Sequence, residues 1–164
     1  MRKIKIPTNS AAGACLLVGL LGACTAQPSG ELDGPVAYST SSIQSSSTAL
    51  QLAVNGHASL HIEREAGSPQ DFTGNASPAA LAALRDDIAA AELPSLPDEY
   101  HCADFAPCDA PEPSRKVVAE AGGATTQIAV DARISNAQLP AGLVKVFQDL
   151  DDITMQLCCE IHPL

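Results

Sequence analysis

The chain has 164 residues, the length of one small domain with a modest core, and 46% of them are hydrophobic. Its 9 lysines and arginines stand against 19 aspartates and glutamates, so the formal net charge is −10 at pH 7. Because such an acidic surface repels phosphate backbones, the composition argues against nucleic-acid binding.

The first 23 residues have the order of an export signal. A cationic start with Arg2, Lys3 and Lys5 precedes a small and aliphatic run over residues 11–23. An ordinary membrane-spanning helix needs about 20 apolar residues, so this shorter run is expected to be cleaved. The sequence therefore predicts a signal peptide over residues 1–23.

Residues 21–24 read Leu-Gly-Ala-Cys and resemble the bacterial lipobox. In that motif the cysteine, here Cys24, receives a diacylglycerol and becomes the new amino terminus, and the acyl chains hold the protein at a membrane. The alternative is an ordinary secretory signal cut near Ala26. Thr25 is not the aspartate that retains some lipoproteins in the inner membrane. The prediction is therefore a lipid anchor in the cell envelope, at the outer membrane or cell surface.

Residues 24–34 are mostly small, polar or turn-forming, which predicts a lipidated tether. The remaining residues, 35–164, then form a single small domain. A short strand is expected over residues 36–38, and the Ser/Thr-rich run over residues 39–48 is expected to be a loop.

Two β-hairpins are predicted. Asn55 and Gly56 separate two runs in which apolar and polar residues alternate, the pattern of a hairpin with a type I′ turn. Gly122 and Gly123 separate two runs rich in β-branched residues. The apolar side chains of the first hairpin would share one face, and the other face would carry Gln51, His57, Ser59, His61 and Glu63.

Two amphipathic helices are expected to cover the apolar face. Ser77 can cap the first helix, Pro78 fits its first turn, and Pro140 can open the second. The apolar stripes consist of Leu81, Leu84, Ile88 and Ala91 in the first and Leu143, Val146 or Phe147, Leu150 and Ile153 in the second. The simplest fold is α+β, an antiparallel sheet of four to five strands with the two helices packed on one face.

Four cysteines remain once the signal peptide is removed and Cys24 is lipidated: Cys102, Cys108, Cys158 and Cys159. An oxidising compartment favours two disulfides among them, in one of three connectivities. A bond between the adjacent Cys158 and Cys159 would close a strained ring. Each of these two is therefore expected to reach back to Cys102 or Cys108 and to staple the carboxyl tail to the middle of the domain. A redox switch is the alternative role for Cys158 and Cys159.

Recognisable catalytic signatures are missing from the sequence. It lacks a Gly-x-Ser-x-Gly serine, a phosphate-binding glycine loop and a His-Glu-x-x-His zinc motif. The acidic pairs Asp86–Asp87 and Asp151–Asp152 lie on the expected helices, where adjacent side chains point about 100° apart and do not converge. The sequence therefore predicts a protein that is not an enzyme and has no cofactor.

Metal binding is the main chemical alternative, and it would use His57, His61, His101 and His162. His57 and His61 lie four residues apart on one expected strand and therefore on the same face. A strand separates such residues by about 13 Å, too far to share one ion without a partner strand. No metal site is assigned from the sequence, and this alternative requires the histidines to cluster in the fold.

The order of elements resembles that of the emfourin-like proteins, small bacterial proteins of which some inhibit thermolysin-type zinc proteases. The similarity covers roughly residues 35–155 and includes Leu93, Leu96, Pro97 and Tyr100 between the first helix and the second hairpin, and Pro140 before the last helix. It implies the fold given above and inhibition of a zinc metalloprotease. Family members usually carry a Gly-Gly pair in the first loop, where this chain has Thr40, Ser41 and Ser42, so no inhibitory residue is assigned.

Together these features predict a non-enzymatic lipoprotein that is anchored in the membrane through the lipid on Cys24 and acts by binding a protein partner. Inhibition of a zinc metalloprotease is the sharpest version. A metal-binding lipoprotein with surface histidines is the alternative, and an enzyme with an unrecognised polar cleft is a third hypothesis.

Overall fold

The structure is a computed structural model that describes residues 32–42, 46–105 and 107–159. The predicted signal peptide, Cys24 and His162 lie outside the described residues. The described chain forms seven strands, two helices and three 3₁₀ turns. The strands are β1 (Leu32–Ser41), β2 (Ser47–Leu52), β3 (His57–Glu63), β4 (Gln70–Asn75), β5 (Glu99–Tyr100), β6 (Ser114–Ala121) and β7 (Ala124–Val130). The helices are α1 (Pro78–Ala91) and α2 (Ala141–Cys159).

All seven described strands join one sheet in the order β4-β3-β2-β1-β6-β7-β5. Neighbouring strands are antiparallel except for β5, which pairs with β7 in parallel. The predicted α+β class is confirmed. The prediction of four to five antiparallel strands is wrong, because the sheet has seven strands and is mixed.

Both predicted hairpins are confirmed. In the turn between β2 and β3, Gly56 has a φ of 87° but Asn55 does not have a positive φ, so the predicted type I′ turn at this pair is wrong. The loop is longer than two residues, because the Ala53 amide donates to the His57 carbonyl at 2.8 Å and the Gly56 amide donates to the Ala53 carbonyl at 2.9 Å. Gly122 and Gly123, with φ of 62° and 73°, form the two-residue turn between β6 and β7. Two consecutive residues at positive φ give the turn that matches the twist of the flanking strands, and glycine adopts this conformation without steric cost.

The first strand is longer than the sequence indicates. It begins at Leu32, so residues 32–34, predicted as the end of the tether, lie in the sheet. It also extends to Ser41, and β2 begins at Ser47, so much of the predicted Ser/Thr-rich loop is strand. Threonine and serine are tolerated here because the neighbouring strands supply their backbone partners.

The two helices pack on one face of the sheet, as predicted. The Ser77 side chain accepts a hydrogen bond from the Ala80 amide at 3.2 Å, which caps α1. The helices are antiparallel, because Gly142 at the start of α2 lies against Ala91 at the end of α1, and Gln156 of α2 accepts a 3.4 Å hydrogen bond from the amide of Ser77. A Cβ atom at Gly142 would lie 3.0 Å from the Cα atom of Ala91, so glycine permits this close approach. Both predicted stripes are buried, with Ala91 half-buried at the end of the first.

The cysteines pair locally in the structure. Cys102 is joined to Cys108, with Cα atoms 5.6 Å apart, and Cys158 is joined to Cys159. The predicted staple between the tail and the middle of the domain is therefore wrong. The reason is topological, since the end of α2 lies against Gly74 of β4, whereas Cys102 follows β5 at the opposite edge. Six strand spacings of about 4.8 Å separate these edges, several times the reach of a disulfide.

No helix in the described part of the chain is long and apolar enough to cross a membrane. The described chain instead buries its aliphatic and aromatic side chains between the sheet and the helices. The largest fully buried members of this core are Tyr38, Phe147, Leu50, Leu52, Leu60, Leu84, Ile88, Leu93, Ile128, Ile134, Leu143 and Leu150. One face of the sheet packs against the helices, and no described element covers the other.

Candidate interaction surface

The face of the sheet that points away from the helices spans all seven described strands, and we call it the open face. Along each strand, buried residues alternate with residues that reach this face. In β1, for example, Val36 and Tyr38 are buried, whereas Ala37 and Ser39 point the other way. The open face comprises Ala37, Ser39, Ala49, Gln51, Ser59, His61, Asp71, Thr73, Glu99, Lys116, Val118, Gln127 and Ala129.

Strand register arranges these side chains in two rows across the sheet. The first row runs Asp71, His61, Ala49, Ser39, Lys116, Ala129 and Glu99, and the second runs Thr73, Ser59, Gln51, Ala37, Val118 and Gln127. The rows lie about 7 Å apart, two residues along each strand. Most of the side chains are small, so the surface is flat. Charged groups lie at both ends of the first row, and the second row is neutral.

A shallow hollow interrupts the open face near the turn between β2 and β3. It has a volume of about 200 Å³ and is lined by Pro35, Gln51, Leu52, Ala53, His57 and Ser59. Its shape is that of a wide depression in a surface and differs from the enclosed, convergent site that small-molecule chemistry requires. We therefore treat the hollow as a shallow depression within the open face and not as a separate ligand site.

The histidines that the metal-binding alternative needs do not converge in the described part of the chain. His61 lies on β3, where its Nδ1 atom is 2.7 Å from Oδ1 of Asp71 and its Nε2 atom is 3.6 Å from Oε1 of Glu63. The hydrogen bond with Asp71 is the main cause that raises the pKa of His61. His101 lies beyond β5 near the opposite edge, 3.0 Å from Glu99.

His57 is exposed on the same strand as His61. Within the described ranges, no group of three or more His, Cys, Asp or Glu side chains has the arrangement needed to hold a metal ion. The structure therefore places His61 and His101 in separate carboxylate–histidine contacts at the surface.

A polar cluster lies on the covered face, where sequence reasoning found only apolar residues. The Tyr38 hydroxyl donates a 2.8 Å hydrogen bond to Asp151 on α2. Arg115 of β6 donates to Asn136 at 2.8 Å and to Glu112 at 2.7 Å. The first bond joins β1 to α2, and the bonds of Arg115 join β6 to the 3₁₀ turn that contains Asn136 and to the segment before β6 that contains Glu112.

Two features show that this cluster is structural. The guanidinium carbon of Arg115 lies 5.4 Å from the centroid of the Phe147 ring, which closes the cluster on its apolar side. Burial raises the pKa of Asp151, while the Tyr38 hydrogen bond and the charge of Arg115 oppose the rise. The Tyr38–Asp151 hydrogen bond and the contact of Arg115 with Phe147 both link the sheet to α2, so the cluster helps to fix α2 on the sheet.

The acidic pairs singled out in the sequence separate in the structure, and a different pair forms. Asp86 and Asp152 are exposed, whereas Asp87 of α1 approaches Asp149 of α2. Burial and the neighbouring Asp87 raise the pKa of Asp149 from its ordinary 3.8 to about 6. Lys145, 3.8 Å from Asp87, acts in the opposite direction. Sequence reasoning missed this pair, although each aspartate directly precedes a stripe residue, Ile88 or Leu150, and so flanks the helix–helix seam.

Sequence comparison gives no relative from which a function could be transferred. No protein-family model matches the chain, and no curated protein matches its sequence. The resemblance to emfourin-like proteins therefore stays a prediction, and the functional argument rests on the open face.

Proposed function

We propose that this protein is a non-enzymatic domain that is held in the cell envelope by lipid on Cys24 and binds another protein through the open face. Inhibition of a thermolysin-type zinc protease is the sharpest version of this function. The observation that carries the proposal is the continuity of the two rows of mostly small side chains across the sheet.

The dimensions of the open face support a protein partner. Six strands at about 4.8 Å span about 24 Å, which is comparable with the width of one side of a standard interface of about 800 Å². Small side chains such as Ala37, Ser39, Ala49 and Ser59 lose little rotamer freedom when a partner covers them. A flat face of this kind suits a complementary protein surface better than a small ligand.

The position of the first strand supports the anchored arrangement. Leu32, the first residue of β1, pairs with Ala121 next to the turn between β6 and β7, and the Gly123 amide donates a 2.8 Å hydrogen bond to Asp33. Residues 25–31 therefore join the domain at this end of the sheet. A lipid on Cys24 would place this end nearest the membrane, and the open face would extend away from it along the strands.

The test is a titration of the mature chain, carrying Cys24→Ser to prevent lipidation, into an assay of a thermolysin-like zinc protease. We expect stoichiometric loss of protease activity while the added chain stays uncut. Unchanged activity at a large excess of the chain would contradict the inhibitory version of the function.

Two matched variants locate the interface. Ala49→Arg introduces a long cation in the centre of the open face, and we expect it to abolish inhibition. Ala82→Arg makes the same chemical change on the exposed side of α1, and we expect inhibition to persist. Equal inhibition by the two variants would show that the partner does not bind the open face.

A further inference from the structure

The outer edge of β7 is only partly paired. On that side the described chain pairs β5 with Ala129 and Val130 alone, through a 2.8 Å hydrogen bond from the Ala129 amide to the Asp98 carbonyl and a 3.0 Å bond from the Asp131 amide to the Tyr100 carbonyl. Backbone groups alternate in direction along a strand, so the amides of Thr125 and Gln127 point to the same side as that of Ala129. Beside them the described chain places no strand.

A groove runs along this unpaired part of β7. It has a volume of about 510 Å³ and is lined by Pro94, Asp98, Glu99, Ala124, Thr125, Thr126 and Gln127. Pro94 belongs to the 3₁₀ turn Leu93–Ser95, which lies near β7 without pairing with it and forms one wall of the groove before the chain enters β5. The groove therefore occupies the place that a longer β5 would fill.

The residues of this edge favour pairing with another strand. Thr125, Thr126 and Gln127 carry no charge, and none is a proline, so β7 lacks the common features that keep an edge strand from pairing. The opposite edge differs, because β4 contains Asp71 and Gly74 and is preceded by Pro69. An uncharged edge with free backbone groups is the template that strand addition uses.

The charges around the groove indicate the kind of strand. Asp98 lines its wall, and within the described residues no cation lies within ion-pair distance of its carboxylate. Glu99, 59% exposed, lies 3.0 Å from His101, its one ion-pair partner among residues that the structure describes. The chain as a whole has a net charge of −10, so its field attracts positively charged segments.

We propose that the groove along β7 binds an extended, basic segment of a partner protein, which adds to the sheet beside Ala124–Gln127 in line with β5. Main-chain hydrogen bonds to Thr125 and Gln127 supply the pairing, and Asp98 and Glu99 select lysine or arginine side chains. Glu99 and Gln127 belong both to this edge and to the open face, but the pairing uses the backbone of β7, so the inference does not rest on the function proposed above.

The experiment uses the mature chain with Cys24→Ser and a synthetic heptapeptide of alternating lysine and valine as the probe. Binding is measured by calorimetry and by amide chemical shifts of the labelled protein. We expect shifts at Ala124–Gln127 and Asp98–Glu99, and affinity that falls steeply with added salt. A heptapeptide with glutamate in place of lysine, or one N-methylated on alternate residues, should bind at least tenfold more weakly.

Variants of the protein complete the test. Gln127→Pro removes an outward amide of β7, and we expect at least a tenfold loss of affinity. Thr73→Pro makes the matched change on β4 and should leave affinity unchanged. The Ala76 amide donates to the Gly56 carbonyl and so points towards β3. Because amides alternate in direction along a strand, the Thr73 amide points away from β3, and proline at this position removes no hydrogen bond of the sheet. Asp98→Lys, which leaves the backbone intact, should weaken binding in the same way even if Gln127→Pro fails to fold.

Two results would overturn the proposal. The first is equal binding of the lysine and glutamate peptides, or shifts that map to β4 or to open-face residues of β1, β2 and β3. The second is self-association of the protein that competes with the peptide and disappears in Gln127→Pro, which would make a second copy of this chain the occupant of the groove.

Discussion

The two faces of the sheet contrast sharply in their side chains. The face under the helices carries large residues such as Tyr38, Leu50 and Ile128, all at most 2% exposed. The open face carries alanine, serine, threonine and glutamine at the alternate positions of the same strands. Each strand therefore contributes residues to both faces. The free energy of unfolding depends mainly on the residues of the covered face, and partner binding would depend on those of the open face.

The covered face is not uniformly apolar, and this qualifies the contrast. Arg115 and Asp151 enter it, but Arg115 donates hydrogen bonds to Asn136 and Glu112, and Asp151 accepts one from Tyr38.

On the open face, Asp71 and Glu99 each contact a histidine near an edge of the sheet, and Lys116 lies between Ser39 and Ala129 in the first row. Substitutions made on one face at a time test whether stability and partner binding are divided between the two faces.

The largest effect is expected for Phe147→Ala. Phe147 is completely buried, and its ring lies 5.9 Å from that of Tyr38 and beneath Arg115. Removing it leaves a cavity between α2 and the sheet, so the free energy of unfolding should fall by about 3–5 kcal/mol. Urea denaturation measures this change. Gln51→Ala on the open face is the control and should alter stability by less than about 0.5 kcal/mol. Similar losses for both variants would break the proposed division between the faces.

A smaller effect is expected from two tyrosines that differ only in the partner of the hydroxyl. Tyr38→Phe removes the donor of the 2.8 Å hydrogen bond to Asp151 and should lower the free energy of unfolding by about 1–3 kcal/mol. Tyr100→Phe removes a buried hydroxyl that has no hydrogen-bond partner among the described residues, so it should be neutral or slightly stabilising. Thermal or urea unfolding of the pair checks this, and a larger loss for Tyr100→Phe would contradict the assignment of the polar cluster.

The smallest effect concerns the helix seam. Asp149 has an ordinary pKa of 3.8 and a folded-state pKa of about 6, so the native state binds more protons than the unfolded state between these values. The stability that this group contributes is therefore fully present below pH 3.8 and is lost as the pH rises through about 6. Asp149→Asn should raise the free energy of unfolding at pH 7 by about 1 kcal/mol, after allowance for solvent screening.

Urea denaturation at several pH values checks the helix-seam prediction. In Asp149→Asn the fall in stability between pH 4 and pH 6 should be reduced. Asp86→Asn removes the same charge from an exposed position on α1 and should leave that fall in place. An unchanged pH profile in Asp149→Asn would show that Asp87 and Asp149 do not interact as the structure indicates.

Local patterns predicted most of the elements. The Asn55-Gly56 pair, the Ser77 cap and the apolar stripes of both helices act over a few residues, so the sequence contains the whole signal. The confirmed hairpins and helices are of this kind. The same local periodicity also identified which side of the first hairpin would be polar.

Non-local features could not be found in this way. β4 reads Gln-Asp-Phe-Thr-Gly-Asn and has little strand propensity, and it forms because β3 offers it an edge. The parallel pairing of β5 depends on β7, which follows it in the chain. The pairing of the cysteines depends on which edge of the sheet each cysteine lies near. The approach of Asp87 to Asp149 depends on which face of its helix each aspartate occupies. These outcomes follow from the topology of the sheet.

The position of β1 has a consequence for the order of folding. This first strand lies between β2 and β6, and it brings together Ser41 and Ser114, which are 73 residues apart. Closing so long a loop costs entropy before the new strand pair repays it, and a high share of such contacts slows folding. The strands β1–β4 can form early as a run of neighbours, but the middle of the sheet is completed only when β6 arrives. We therefore expect the chain to fold as one cooperative unit, in which β6, from the later part of the sequence, completes the middle of the sheet.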